Sequence, residues 1–220
     1  MSQVNDAEKM KNARVTPKNE KQREYLQSIK DNVQTFAIGP AGSGKTYIPV
    51  MYALEKYLSR DIRKIIVTRP AVDVGESHGF LPGDLTKKLA PWVLPITELI
   101  EEVTGKDRFI KMLKEGDFEV APFAYMRGRT FNNAFVILDE AQNTTEKQME
   151  MFLTRIGDNT KVIIAGDMRQ SDIKDGKSGL AKAIALVEKH SIPAGFVQFG
   201  TEHVVRSGIC QQWVEAFEKG

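Results

Sequence analysis

The fold of this chain is decided by one stretch, Gly39-Pro40-Ala41-Gly42-Ser43-Gly44-Lys45-Thr46. The stretch matches the phosphate-binding pattern G-x-x-x-x-G-K-S/T at every fixed position. Its glycines allow the backbone to turn several N–H groups inward around an anion. The apolar run Gln34–Ile38 before it predicts a buried strand, and residues 45–58 predict a helix. We therefore expect the whole stretch to bind a phosphate chain at the N-terminus of that helix.

Two side chains of this phosphate loop have specific expected roles. Lys45 would reach the β- and γ-phosphates as a positive charge, and the Thr46 hydroxyl would ligate a Mg²⁺ ion that bridges them. A glycine-rich turn with a chance lysine is the alternative, but the flanking strand and helix disfavour it. Pro49 falls inside the predicted helix and removes a backbone N–H, so we expect a local kink there.

Length and composition indicate one α/β domain. A chain of 220 residues fills one such domain and is too short for two. The single cysteine, Cys210, excludes an internal disulfide and suits a reducing compartment. No apolar run approaches the roughly 20 residues of a membrane span, and the polar N-terminus has no signal-peptide core. These features predict a cytoplasmic protein with no membrane partner.

The net charge argues against a global basic surface. Its value is +2, and residues 1–24 hold six Lys/Arg and four Asp/Glu, which leaves 25 of each for the rest of the chain. A nucleic acid would therefore have to bind in a local groove, with few phosphate contacts.

A second decisive stretch is Phe135-Val136-Ile137-Leu138-Asp139-Glu140-Ala141-Gln142. An apolar strand that ends in two acids places both carboxylates at the edge of a parallel sheet, facing the phosphate loop. We expect Asp139 to hold the Mg²⁺ through water and Glu140 to act as the general base for an attacking water.

A third buried strand is predicted at residues 161–165, followed by Gly166-Asp167-Met168-Arg169-Gln170. Gln170 would lie beyond the end of a neighbouring strand, where it can sense the γ-phosphate and the attacking water. A simple turn is the alternative interpretation. Asp167 could support the metal site.

The N-terminal region is predicted to contain a flexible tail and a helix. Residues 1–15 are polar and without periodicity, so we expect a tail there. Thr16 would cap a helix with Pro17 at its first position, running to about Ile29. In that helix Gln22 could read an adenine edge, because its amide both donates and accepts; a surface role is the alternative.

Arginines follow two other predicted strands. The predicted strand at residues 64–68 is followed directly by Arg69, and a glycine-rich loop lies further along at residues 75–84. Residues 118–125 are predicted as a strand that ends near Arg127 and Arg129, which could contact phosphates or lie in a solvated turn. Near the C-terminus, a last helix over residues 209–217 is expected to place a stripe in the core: Ile209, Trp213 and Phe217.

Taken together, these motifs resemble the PhoH family. The matching segments are residues 39–46, 67–72, 79–84, 124–130 and 138–143, with Gly166, Asp167 and Gln170. The resemblance implies a RecA-like P-loop NTPase domain over residues 16–220, related to the first domain of superfamily-one helicases. It also implies a five-stranded, mainly parallel sheet between helices, and an ATPase that acts on RNA.

The same resemblance implies roles for individual residues. Lys45 and Thr46 match the family's Walker A residues, Asp139 and Glu140 its Walker B pair, and Gln170 its third helicase motif. Gln22 matches the upstream glutamine that contacts adenine. Near the C-terminus, His203-Val204-Val205-Arg206-Ser207-Gly208 keeps the family's arginine but loses its His-Pro, and Arg206 is the candidate γ-phosphate sensor.

Helicases of this kind close two RecA-like domains over ATP, and the second supplies an arginine. This chain has one such domain, so we expect a homo-oligomer, such as a ring, in which a neighbour supplies it. The candidates are Arg127, Arg129, Arg155 and Arg206.

Three functions are therefore open. The first is a Mg²⁺-dependent ATPase coupled to single-stranded nucleic acid, RNA more than DNA, with contacts at Arg69, Arg127 and Arg129. The second is a module whose protein binding is gated by ATP. The third, a small-molecule kinase, is disfavoured because Glu140 supplies a base that activates water.

Overall fold

The structure is a computed structural model that describes residues 13–70, 93–121, 123–173 and 178–205, together with residues 208–209, 212–213 and 216. Its centre is a parallel sheet of six strands in the order β3-β2-β4-β5-β1-β6. The α/β class with a parallel sheet is confirmed, with one strand more than the resemblance implied. The strands are β1 (Gln34–Ile38), β2 (Lys64–Thr68), β3 (Phe118–Val120), β4 (Ala134–Leu138), β5 (Lys161–Gly166) and β6 (Gly195–Gln198).

Six α-helices that lie wholly within the described ranges cover the two faces of this sheet. They are α1 (Glu20–Asp31), α2 (Tyr47–Leu58), α3 (Leu94–Thr104), α4 (Lys106–Glu115), α5 (Glu146–Leu153) and α6 (Gly179–His190). Ile65 and Val67 of β2 face the cluster built with α1 to α4, whereas Ile66 faces the cluster built with α5 and α6. Because the central strands are buried on both faces, they read as continuous apolar runs.

The N-terminal helix begins later than the sequence predicted. Asn19, not Thr16, is its N-cap, and the Asn19 side chain accepts a hydrogen bond from the Gln22 N–H at 2.9 Å. The flexible tail predicted over residues 1–15 extends too far towards α1, because Ala13 and Val15 are buried in the core. Residues 1–12 lie outside the described part of the chain.

Two other predictions are corrected by the structure. The strand predicted at residues 118–125 ends at Val120, which pairs with Val67 of β2, and a 3₁₀ helix follows at Phe123–Met126. The prediction of a buried stripe near the C-terminus is wrong for Ile209 and Trp213, which are 64% and 61% exposed. Its third member, Phe217, lies outside the described residues.

The strand order places the three predicted motifs at one edge of the sheet. β4, β5 and β1 are adjacent, and the chain leaves each of them at its carboxyl end. At this edge the Gly39 N–H donates to Gly166 O at 3.0 Å, and the Asp139 N–H donates to Thr68 O at 2.9 Å. The phosphate loop, the acidic pair and the turn after β5 therefore meet.

Candidate active site

A cleft of about 550 Å³ lies at the carboxyl edge of the sheet. Its walls come from the phosphate loop, the acidic pair after β4, the turn after β5 and one face of α3. Among the described lining residues, Lys45 is basic and five are acidic, namely Glu98, Glu102, Asp139, Glu140 and Asp167. A polyphosphate in this cleft therefore needs added positive charge, which a bound cation or a further basic side chain can supply.

The phosphate loop is fixed by backbone contacts on both sides. Gly42 and Gly44 have φ angles of 82° and 93°, in the region that favours glycine. The Val205 N–H donates to Gly42 O at 3.0 Å, and the Ser43 hydroxyl donates to Pro40 O at 2.9 Å. These contacts hold the loop in one conformation.

Lys45 lies at the mouth of this loop. Its ammonium group donates to the carbonyl oxygens of Gly39 and Pro40. Burial lowers the pKa of Lys45, and the nearby carboxylates of Asp167, Asp139 and Glu140 oppose that effect. A phosphate bound beside the ammonium group would favour its charged form further.

Thr46 and Asp139 form the candidate cation site. The Thr46 hydroxyl donates to Asp139 Oδ1 at 3.2 Å. Burial, and then the neighbouring Glu140 charge, raise the pKa of Asp139, while Arg69 and the Thr46 hydrogen bond oppose the rise. A hydroxyl and a carboxylate are oxygen donors suited to Mg²⁺, which usually takes one or two carboxylates together with phosphates and waters. The described residues offer no cluster of three or more metal-binding side chains.

Glu140 stands just beyond the end of β4 in a constrained backbone conformation. Its φ and ψ angles are 52° and 40°, in the left-handed region that costs a non-glycine residue energy. The Gln142 amide donates to Glu140 Oε2, and Arg69 Nη2 lies 3.8 Å from Oε1. The carboxylate is thus held on two sides at the edge of the cleft.

Gln142 links this carboxylate to the turn after β5, and the sequence reasoning did not assign it a role. It is 1% exposed, and its Oε1 accepts a hydrogen bond from the Asp167 N–H at 3.0 Å. The sequence signal that could have indicated this role was the position of Gln142 two residues after Glu140, since a polar side chain that is buried there must find hydrogen-bond partners. Gln170 is exposed and lines the cleft, and its N–H donates to Asp167 O at 3.0 Å.

Helix α1 contacts the phosphate loop from behind. Gln22 is 3% exposed; its Nε2 donates to Ser43 O at 3.0 Å, and its Oε1 accepts from the Lys18 N–H at 2.8 Å. The Tyr25 hydroxyl donates to Lys45 O at 3.0 Å. Adenine reading by Gln22 stays a prediction, and the described contacts of its side-chain amide are with the phosphate loop and with the Lys18 N–H.

Two of the candidate arginines lie beside acidic side chains of the same chain. Arg69, expected on a nucleic-acid surface, lies beside Glu140 at the cleft. Arg129 donates from both terminal nitrogens to the Glu119 carboxylate, and its guanidinium lies 5.7 Å from the centre of the Phe131 ring. A nucleic-acid contact by Arg129 would have to break this pair.

The remaining candidates are distributed differently. Arg127 is exposed in the turn after the 3₁₀ helix. Arg155 is partly buried, follows α5, and donates from Nε to Met151 O at 3.3 Å. Arg206 and the loop at residues 75–84 lie outside the described residues. Val205, which precedes Arg206, donates a backbone hydrogen bond to Gly42 O of the phosphate loop.

Comparison with known proteins identifies close relatives. A family model described as PhoH-like protein matches residues 14–218. The PhoH-like protein of Bacillus subtilis (strain 168) is 47% identical over 199 residues, which are 90% of this chain and 62% of that protein. Protein PhoH of Escherichia coli (strain K12) is 45% identical over 206 residues, or 92% and 58% of the two chains. The chain thus spans about three fifths of the length of these relatives.

A comparison of structures supports the fold. The crystal structure of the UvsW helicase from bacteriophage T4 superimposes with a TM-score of 0.51 and 14% identity, over 85% of this chain and 61% of that one. At this identity the likeness concerns the fold alone. No helix in the described ranges combines the length and apolar character that a membrane crossing requires.

Proposed function

Since this chain belongs to the PhoH family, we propose that it binds ATP with Mg²⁺ and hydrolyses it in the cleft at the carboxyl edge of its sheet. The observation that carries the proposal is the contact between Thr46 and Asp139, with Lys45 on one side and Glu140 on the other. It brings a phosphate-binding loop, an oxygen-donor pair for a cation and a candidate base into one cleft. The rest of the loop, Gly39 to Gly44, surrounds the phosphates, and backbone N–H groups that are free in the described contacts, such as those of Gly42 and Gly44, would donate to them.

In this proposal the base is Glu140. A water molecule attacks the γ-phosphorus, Glu140 takes its proton, and the bond to the β-phosphate oxygen breaks to give ADP and phosphate. Lys45 holds the β- and γ-phosphates, and Gln170 orients the attacking water. Thr46 and Asp139 would hold Mg²⁺, which would supply positive charge to offset that of the transferred phosphoryl group.

The excess of acidic side chains in the cleft favours the presence of a second cationic residue near the γ-phosphate. With five acids and one lysine among its described lining residues, the cleft does not compensate the charge of ATP by itself. Arg206, or an arginine of a neighbouring copy, is proposed to supply this charge in a homo-oligomer. Arg127 suits the second arrangement best, because it is exposed and the other described candidates, Arg129 and Arg155, make internal contacts.

We further propose that turnover is coupled to single-stranded nucleic acid, RNA more than DNA, in the cytoplasm. The test is phosphate release from ATP by the full chain, measured with single-stranded RNA, with single-stranded DNA and with neither, on protein whose mass in solution has been determined. Stimulation by RNA of an oligomer is the expected result. A basal rate that neither nucleic acid changes would overturn the coupling and favour an ATP-gated protein-binding module.

A further inference from the structure

Pro49 leaves a gap in the hydrogen bonds at the start of α2. The Ile48 N–H donates to Gly44 O at 3.0 Å, and the Val50 N–H donates to Thr46 O at 3.2 Å. Between them, Lys45 O would accept from residue 49, but proline has no N–H. The helix still runs without a break from Tyr47 to Leu58, and a kink at Pro49 stays a prediction.

Tyr25 fills this gap from helix α1. Its hydroxyl donates to Lys45 O at 3.0 Å, where the helical bond is missing. The ring is fully buried and packs edge-to-face on Phe199, with centroids 5.5 Å apart. Burial raises the pKa of Tyr25 well above its usual range, with the Asp139 charge adding to the effect, so the hydroxyl stays a donor.

Gln22, one turn earlier on the same face of α1, makes the matching contact to Ser43 O. The approach is close, because a Cβ built on Gly44 would lie only 2.8 Å from Gln22 Nε2. Gly44 also has a φ of +93°, a backbone conformation that favours glycine, and a Cβ there would displace the Gln22 amide.

These two contacts determine where two N–H groups point. A peptide unit is planar and trans, so its C=O and N–H point in opposite directions. Holding Ser43 O and Lys45 O towards α1 therefore directs the N–H groups of Gly44 and Thr46 away from α1. Both of these residues line the cleft.

We propose that Tyr25 and Gln22 are positioning residues that pre-organise the phosphate loop for a polyphosphate, with Tyr25 supplying the hydrogen bond that Pro49 cannot. The proposal rests on the proposed function, since it concerns the same cleft. This role differs from recognition of the adenine base in one measurable consequence. Affinity for a polyphosphate without a base should depend on Gln22 and Tyr25 as strongly as affinity for ATP does.

The test is calorimetric titration of the full chain with ATP and with inorganic tripolyphosphate, both in Mg²⁺. Tyr25→Phe removes one oxygen and keeps the ring, and Gln22→Met keeps the bulk of the side chain. Each should weaken binding of both ligands by the same factor, roughly fivefold for one hydrogen bond. Gln27→Met is the matched control, because Gln27 is exposed on the same helix and bonds only to Asp31 in the described contacts.

A double-mutant cycle tests the Tyr25 contact even if Gln22→Met does not fold. In Pro49→Ala protein the new N–H can pair with Lys45 O, so adding Tyr25→Phe should weaken binding less than about twofold. An equal effect in both backgrounds would overturn the Tyr25 role. Loss of ATP affinity with unchanged tripolyphosphate affinity in Gln22→Met would overturn the Gln22 role in favour of adenine reading. Wild-type protein that binds tripolyphosphate in this Tyr25-dependent way, but hydrolyses no ATP, would support the positioning role and overturn the proposed function.

Discussion

Gln142 donates a hydrogen bond to the carboxylate of Glu140, two residues before it in the chain. The same amide accepts from the Asp167 N–H at 3.0 Å, so one buried side chain ties the candidate base to the turn that carries Gln170. Gln142→Met keeps the bulk but loses both bonds. We expect turnover to fall roughly 10- to 100-fold, as for loss of a hydrogen bond to a charged group, with ATP affinity within about threefold of wild type. Single-turnover hydrolysis and equilibrium binding measure the two effects separately.

The role of Gln142 can be separated from general damage to the site. If it acts through Glu140, adding Gln142→Met to Glu140→Gln protein should cause little further loss of turnover. Losses that multiply in the double variant would contradict this role.

Lys45 should dominate ATP binding. Lys45→Ala removes the basic side chain from a cleft whose described lining includes five acids, so we expect nucleotide binding to be abolished in calorimetric titration. Lys56→Ala is the control, because Lys56 lies near the end of the same helix and pairs with Asp61 at the surface. ATP affinity that survives in Lys45→Ala would remove this lysine from the phosphate site.

Glu119 should contribute stability that depends on pH. Burial by itself raises the pKa of Glu119, but hydrogen bonds from Arg129 and Lys64 outweigh it and lower the pKa overall. A carboxyl whose pKa is lowered by folding stabilises the protein above its unfolded pKa of about 4.3, and loses that contribution as the pH falls through the folded value. At pH 7 we expect Glu119→Gln to reduce the free energy of unfolding by about 1 kcal/mol.

Urea unfolding across a range of pH tests this assignment. The difference between wild type and Glu119→Gln should shrink as the pH is lowered from neutral towards the folded pKa. Glu115→Gln is the control, since the ion pair described for Glu115 is a long contact of 3.7 Å to Lys111 at the surface. A difference that stays constant over the acid range would show that the ion pair is not its source.

Lys161 should stabilise the helix that supports the phosphate loop. Its ammonium group donates to Ile29 O, Lys30 O and Asn32 O at the C-terminal end of α1, at 2.8, 2.9 and 2.6 Å. A cation there compensates carbonyls that have no helical partner. Lys161→Met should lower the free energy of unfolding by about 1 to 2 kcal/mol and the Tm by roughly 5 °C. An unchanged Tm in calorimetry would show that solvent replaces these bonds without cost.

The sequence predicted those parts of the fold that depend on local patterns. Buried parallel strands read as apolar runs, and strand ends at one edge explain why Lys45 and Asp139 could be placed together in advance. The partners of Gln142 and Tyr25 could not be predicted in this way. Gln142 meets Asp167 across two strands, and Tyr25 meets Lys45 between two helices, so both contacts depend on tertiary packing.

The same reason explains the errors. Asn19 was missed as the helix cap because Thr16 followed by Pro17 is an equally good local signal. Arg129 was grouped with possible phosphate contacts because its partner, Glu119, lies on a strand that the sequence placed but could not orient. The stripe of Ile209 and Trp213 has the spacing of a buried helix face, but spacing does not show whether anything covers it.

The most direct test of hydrolysis in this cleft is the rate of ATP hydrolysis in Glu140→Gln compared with wild type, in Mg²⁺, with ATP affinity measured on the same samples. This change keeps the size of the side chain and removes its ability to take a proton. Binding should be retained, and turnover should fall by roughly 10²- to 10⁴-fold, as for loss of a general base. Unaltered turnover in Glu140→Gln would contradict the assignment of Glu140 as the base.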